Sequence, residues 1–77
     1  MGFTLRTVVR EATGKVGVVL ERWRLRALTL DEAKREVDRG GWVRNGIEPN
    51  GFDIVDDEGS TLARRPYSKK SIYAPWT

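Results

Sequence analysis

Histidine and cysteine are both absent from this chain of 77 residues. Without cysteine there is no disulfide, no thiolate zinc site and no cysteine nucleophile. Without histidine, the usual general base and the commonest metal ligand are missing. No apolar run approaches the roughly 20 residues of a membrane span, and no secretory signal is visible. The opening Met1-Gly2-Phe3-Thr4-Leu5-Arg6 fails the myristoylation pattern, which asks for Ser or Thr where Arg6 stands. The expectation is a soluble, cytoplasmic protein without membrane contact. Catalysis is disfavoured by the same absences. Carboxylates, Lys, Tyr and Ser remain, and none forms a recognisable nucleophile–base pairing. We expect no enzyme, no cofactor, no metal and no small-molecule substrate, because so small a domain has little room for a water-excluding pocket.

What is present is charge, and it is segregated. The net charge is +3. Residues 1–28 carry Arg6, Arg10, Lys15, Arg22, Arg24 and Arg26 against Glu11 and Glu21. Residues 29–59 carry four bases and nine acids, a balance of −5. Residues 60–77 carry Arg64, Arg65, Lys69 and Lys70 and no acid. A basic, acidic, basic order can build opposed faces in one fold. The length fits a single domain, whose core supplies only about 3–5 kcal/mol of net stability.

One helix is signalled from both ends, within Leu28–Gly41. Thr29 is an N-cap whose hydroxyl can accept from a free N–H of the first turn. Glu32 has the capping-box spacing and can reach back to the N–H of Thr29. Asp31 and Glu32 suit the positive end of the helix dipole, and Arg39 the negative end. Asp31–Arg35 and Lys34–Asp38 are spaced to pair along the helix. Gly40 or Gly41 supplies a left-handed stop. Leu30, Ala33 and Val37 form a narrow apolar stripe, so one face must dock. About three turns are not stable alone in water.

The remaining segments read as strands and turns. Phe3–Arg10 is rich in β-branched and aromatic residues, with Phe3, Leu5 and Val9 facing a core. Residues 11–15 form a hairpin loop with Gly14 free to take positive φ. Val16–Ala27 changes parity midway. Either one bulge near Glu21 or Arg22 brings Val16, Val18, Leu20, Trp23 and Leu25 to the core, or a shorter strand precedes an irregular segment; we favour the bulge. Residues 42–51 are a loop with Asn45-Gly46 and Asn50-Gly51 as turns, and Trp42, Val43 and Ile47 cover an edge of the core. Phe52–Val55 and Ser60–Arg65 are strands around the turn Asp56-Asp57-Glu58-Gly59. The result is an α+β fold, β-β-α-β-β: one short helix packed on one face of a four-stranded antiparallel sheet. Strand orders 2-1-3-4 and 1-2-4-3 both satisfy the pattern. Residues 1–65 make the domain. Residues 66–77 make a basic, aromatic tail, loosely docked or poorly ordered.

Two constellations point to binding. If the helix covers one face, Arg6, Arg10, Arg22, Arg24 and Arg26 decorate the other. Guanidinium groups suit phosphate and carboxylate, and a flat basic sheet can contact a nucleic-acid backbone or an acidic protein. The plainer alternative is that a small open sheet needs a solvated face and uses arginine for it. The tail interleaves Arg64, Arg65, Lys69 and Lys70 with Tyr67, Tyr73 and Trp76, as single-strand binders do. The plainer alternative is that Ile72, Tyr73 and Trp76 fold back and enlarge a small core, or swap onto a neighbour. The acids Asp53, Asp56, Asp57 and Glu58 lack calcium-loop spacing and read as turn chemistry. Thr13-Gly14-Lys15 lacks the flanking pattern of a phosphate loop.

The step Leu-Thr-Leu-Asp-Glu-Ala-Lys (28–34), followed by Phe-Asp-Ile-Val-Asp-Asp-Glu-Gly (52–59), resembles small bacterial and phage-borne ββαββ domains of unknown function. The resemblance covers residues 3–65. It implies a fold and no activity. The expectation is a non-enzymatic binding module for a polyanion or an acidic protein through the arginine face. The alternatives are a homodimeric or other protein-interaction subunit using Trp23, Trp42 or the tail aromatics, and a phage-type inhibitor.

Overall fold

The computed structural model describes residues 2–44, 46, 48–68 and 75–77. Its elements are β1 (Thr4–Arg10), β2 (Val16–Arg24), α1 (Leu30–Asp38), β3 (Gly51–Val55) and β4 (Thr61–Pro66). The strands form one antiparallel sheet in the order β2-β1-β3-β4. This settles the two orders that the sequence left open. The β2–α1–β3 crossover returns the chain to the free side of β1.

Register decides which residues share a face, because side chains alternate along a strand. One rung runs Trp23–Leu5–Ile54–Ala63 across all four strands, and another runs Glu21–Thr7–Phe52–Arg65. Both point toward the helix. Phe3, Leu5, Leu25, Ala27, Ala33, Val37, Phe52, Ile54 and Ala63 form the buried core between helix and sheet. Trp23, Leu30, Trp42, Val43, Tyr67 and Trp76 pack around its margin. Leu5 and Ile54, opposite one another at its centre, are fully buried.

The helix ends close much as their residues dictate. The Thr29 hydroxyl accepts from the Glu32 N–H at 3.2 Å. The Glu32 carboxylate reaches one residue further back than the capping box places it, to the Leu28 N–H at 3.2 Å. Gly40 and Gly41 take φ of 83° and 88°, a region closed to most side chains. The Trp42 indole N–H donates to the Val37 carbonyl at 3.1 Å, satisfying one carbonyl of the last turn. Asp38 turns away from Lys34 and pairs with Arg65 on β4. Glu36 ties the helix to the end of β2: its carboxylate accepts from the N–H groups of Arg26 and Ala27 at 2.9–3.1 Å.

β2 departs from the expected single bulge. Its register slips twice against β1, leaving Leu20 and Gly17 without Cα partners. At the first slip the buried Thr7 hydroxyl accepts from the Glu21 N–H at 3.1 Å. That bond replaces a ladder partner lost at the irregularity. Trp23 and Leu25 reach the core side as expected. Val16 and Val18 do not: the second slip sets Val16 opposite Arg10, on the other face, and Val18 is 53% exposed. Asn50-Gly51 is also not a turn. Gly51 opens β3, while the Asn50 side chain bonds the Arg10 N–H and C=O at 2.7 and 3.0 Å, continuing the ladder in place of backbone. The expected contacts of Asn45 and Ile47 lie outside the described residues.

Candidate functional site: the arginine face

On the side of the sheet away from the helix, one rung runs Arg22–Arg6–Asp53–Arg64, one residue from each strand. The next rung toward the start of β1 is Arg24–Thr4–Val55–Thr61. The rung on the other side is Val19–Val8–Gly51–Pro66. Arg10 belongs to the same face. It therefore carries five arginines and, at its centre, one aspartate.

Asp53 organises this face. It is only 1% exposed, although it points away from the hydrophobic core. Arg10 binds its Oδ1 and Arg6 its Oδ2, so two forks clamp one carboxylate. Arg6 also donates to the Thr61 hydroxyl at 3.2 Å, and Arg10 to the Gly14 carbonyl at 3.1 Å. Arg10 starts four residues along β1 from Arg6, so its side chain must cross the Val8 rung to reach Asp53. Gly51 opens that path: a Cβ there would lie 3.4 Å from Arg10 Nε and 3.3 Å from Val8 Cγ2. Beneath these flattened guanidinium stems, Val8 and Val55 are buried at 0% and 5% exposure. Arginine stems thus stand in for a second hydrophobic layer.

Arg24 is held differently. Its guanidinium lies against Gly2, where any Cβ would clash, and pairs with Asp57 at 2.7 Å. The Arg24 hydrogen bond, joined by the Gly2 N–H at 2.8 Å, holds the Asp57 carboxyl below its ordinary range. Arg22 and Arg64, at the two ends of the central rung, are exposed and carry no side-chain hydrogen bond or ion pair among the described residues. Counting Asp53 and Asp57 against the five arginines leaves the face at +3.

The five arginines expected on this face are therefore placed unequally. Arg22 is presented freely, Arg24 is exposed but paired, and Arg6 and Arg10 are largely sunk onto Asp53. Arg26 lies beyond the end of β2, where its N–H turns to Glu36, and is not on a rung. Arg64, expected both in the fourth strand and among the tail contacts, is the fourth member of the central rung. Asp53 looked like part of an acidic turn, and its place opposite Arg6 shows only once the β1–β3 register is known.

The tail residues divide as well. Arg65 faces the helix, is 6% exposed and pairs with Asp38, so it is closed to a partner. Tyr67 packs on Phe52 with ring centroids 4.8 Å apart. Trp76 lies against the core with the Arg65 guanidinium 5.5 Å from its ring. Thr77 exchanges backbone bonds with Arg64 at 2.8 and 2.9 Å, along the outer edge of β4. Trp76 and Thr77 are docked on the domain, as the plainer alternative asks of Trp76. Lys69, Lys70, Ile72 and Tyr73 lie outside the described residues.

Trp23 and Trp42 meet edge to face at 5.7 Å, and Arg44 covers Trp23 while pairing with Glu21 at 3.5 Å. A cleft of about 300 Å³ opens beside them, between the end of α1 and the sheet. Aromatic side chains line it, with the Asp38–Arg65 pair among its ionisable groups. In the acidic turn, Asp56 accepts from the N–H groups of Glu58 and Ser60 at 2.9 Å each, which is ordinary turn chemistry. Among the described residues no helix is long and apolar enough to cross a membrane. No protein-family model, no curated protein and no solved structure matches this chain.

Proposed function

We propose that the chain is a non-enzymatic binding module whose arginine face contacts a polyanion, the phosphate backbone of a nucleic acid. The observation that carries this reading is the central rung. It sets two exposed arginines, unpaired among the described residues, on opposite margins of a face held at net positive charge. Charge pairing with phosphate needs cations free to trade water and counterions for a phosphate oxygen, and Arg22 and Arg64 are in that condition. Arg6 and Arg10 add field from beneath, since Asp53 neutralises one of the two.

An acidic protein fits the face less well. Stable protein interfaces draw most of their energy from apolar or aromatic anchors seated in pockets. Here Val8 and Val55 are already covered by arginine stems. A self-associating subunit or inhibitor built on Trp23, Trp42 and Trp76 loses support from the inward packing of those rings.

The test is a salt titration of binding to a labelled nucleic acid of mixed sequence. Two to three phosphate contacts give a slope of log affinity on log salt of about −1.8 to −2.7, or roughly 12- to 40-fold between 50 and 200 mM. Arg22→Ala and Arg64→Ala each lower the slope by about 1. No binding at low salt, or an affinity indifferent to salt, refutes the reading.

A further inference from the structure

From the placement of the aromatic residues we infer that the arginine face takes double-stranded nucleic acid, through its backbone and without sequence preference, rather than single strands. The inference rests on the polyanion reading and narrows its ligand.

A protein that grips a single strand needs platforms on which unstacked bases can lie, and its aromatic side chains provide them beside the cations. This chain has seven aromatics, and six are among the described residues: Phe3, Trp23, Trp42, Phe52, Tyr67 and Trp76. All six belong to the core on the helix side or pack against it. The four rung positions that carry charge are Arg22, Arg6, Asp53 and Arg64, and the flanking rungs offer Thr, Val, Gly and Pro with Arg24. The arginines of this face and the six described rings lie on opposite sides of one sheet; the cations beside rings are Arg44 at Trp23 and Arg65 at Trp76, on the helix side. A base turned toward the arginines meets guanidinium and aliphatic carbon and no ring from the described residues.

Base reading in a duplex is disfavoured by the same geometry. Three strand spacings of about 4.8 Å separate Arg22 from Arg64, roughly 14 Å of backbone. A major groove about 12 Å wide admits a helix or a two-stranded ribbon. A four-stranded sheet presented face-on spans the groove and rests on the phosphates that border it. Arg6 and Arg10, the arginines nearest the middle, have their forks turned to Asp53 and are not free to pair with a base edge. What remains is two marginal cations at a spacing that bridges phosphates, which is recognition of a charged duplex surface.

The experiment compares a short labelled duplex with each of its strands alone and with poly-glutamate, by anisotropy across a salt series and with tryptophan emission as a second signal. Three results are expected together. The duplex binds more tightly than either strand. A second duplex of scrambled sequence binds equally. Tryptophan emission stays unchanged, because the three indoles lie on the other side of the sheet. Arg22→Ala with Arg64→Ala abolishes most duplex binding, while Arg39→Ala, on the far end of the helix, leaves it unchanged. Tighter binding of a single strand, or its quenching of tryptophan emission, overturns the inference and leaves the polyanion reading standing. Preference for poly-glutamate over both overturns the choice of nucleic acid. Failure of all three ligands at low salt removes the polyanion reading itself.

Discussion

Replacing Asp53 by Asn moves stability and binding in opposite directions. The carboxylate is almost completely enclosed, and it is shared by Arg6 and Arg10, whose side chains are 21% and 18% exposed. Removing one partner of a fully buried ion pair costs about 3–5 kcal/mol. Both guanidinium groups can still reach water here, and Asn keeps one acceptor oxygen, so about 1–3 kcal/mol is the reasonable loss. A chain of this length has about 4–12 kcal/mol in all. With a urea slope of about 1 kcal/mol/M, the midpoint falls by roughly 1–3 M with the slope unchanged. Tryptophan emission follows the transition, since Trp23 and Trp42 sit at the core margin. Binding changes the other way. The face gains one positive charge and two loosened forks, so duplex affinity rises at low salt and its salt slope steepens by about 1. A loss below about 0.5 kcal/mol would show that Asp53 is not what holds the two arginines down. An unchanged or weaker affinity would show that they do not contribute to the contact. The two signs are independent, so a destabilised variant that binds poorly refutes the reasoning and cannot be excused as partial unfolding if binding is measured below the transition.

Three further outcomes follow from contacts elsewhere. Gly51→Val blocks the path of Arg10 over Val8; overpacking of this kind costs about 1–3 kcal/mol, and proton NMR should show the Arg10 side chain released from Asp53, whereas an unchanged Arg10 refutes the proposed path. Glu36→Ala leaves the N–H groups of Arg26 and Ala27 without their charged acceptor, a loss of about 1–3 kcal/mol, with hydrogen exchange accelerating at those two amides before any others. Asp57 is held below its ordinary carboxyl value by Arg24 and the Gly2 N–H, so its contribution is complete above that ordinary value and is lost as pH falls through the depressed one. Arg24→Gln should bring the Asp57 titration, followed by carboxyl carbon shifts, back up toward the ordinary range; no movement would mean that Arg24 is not the cause.

Local chemistry was legible where one residue decides the outcome. Thr29 names the helix start, Gly40 names its stop, and the Asp56–Gly59 turn closes as its residues require. Whole-element order was legible too, because each segment carries its own period. Register was only partly so. The parity change within β2 signals a bulge near Glu21, and one slip falls beside it at Leu20, but no alternation within β2 reports the second slip at Gly17. Asp53 illustrates the consequence. Its sequence neighbours are acids and apolar residues, and its partners Arg6 and Arg10 lie more than forty positions away. Arg65 is the converse case. It sits beside Arg64 in a run that reads as a solvated basic tail, yet alternation sends the two to opposite faces, one to Asp38 and one to the open rung.

The same alternation limits how a partner can approach. A sheet of four strands offers two edges and two faces. At the β4 edge, Thr77 already occupies the N–H and C=O of Arg64, so an added strand would have to displace it. At the β2 edge, two register slips bend the strand and interrupt a regular ladder, a feature that opposes edge-to-edge pairing. The helix side is covered by α1, Trp42 and Trp76, with the cleft of about 300 Å³ left open at the end of α1. Strand addition, one usual route to a peptide partner, is thus obstructed where the described residues lie. The arginine face has no exposed aromatic ring among those residues, its unspent valence is guanidinium, and Leu62 on β4 is 41% exposed. On the binding-module reading proposed above, a ligand for it brings regularly spaced negative charge and asks for little hydrophobic anchoring in return. A phosphate backbone suits that reading on both counts, and an acidic loop of a folded protein, whose charges have no fixed repeat, suits it less well.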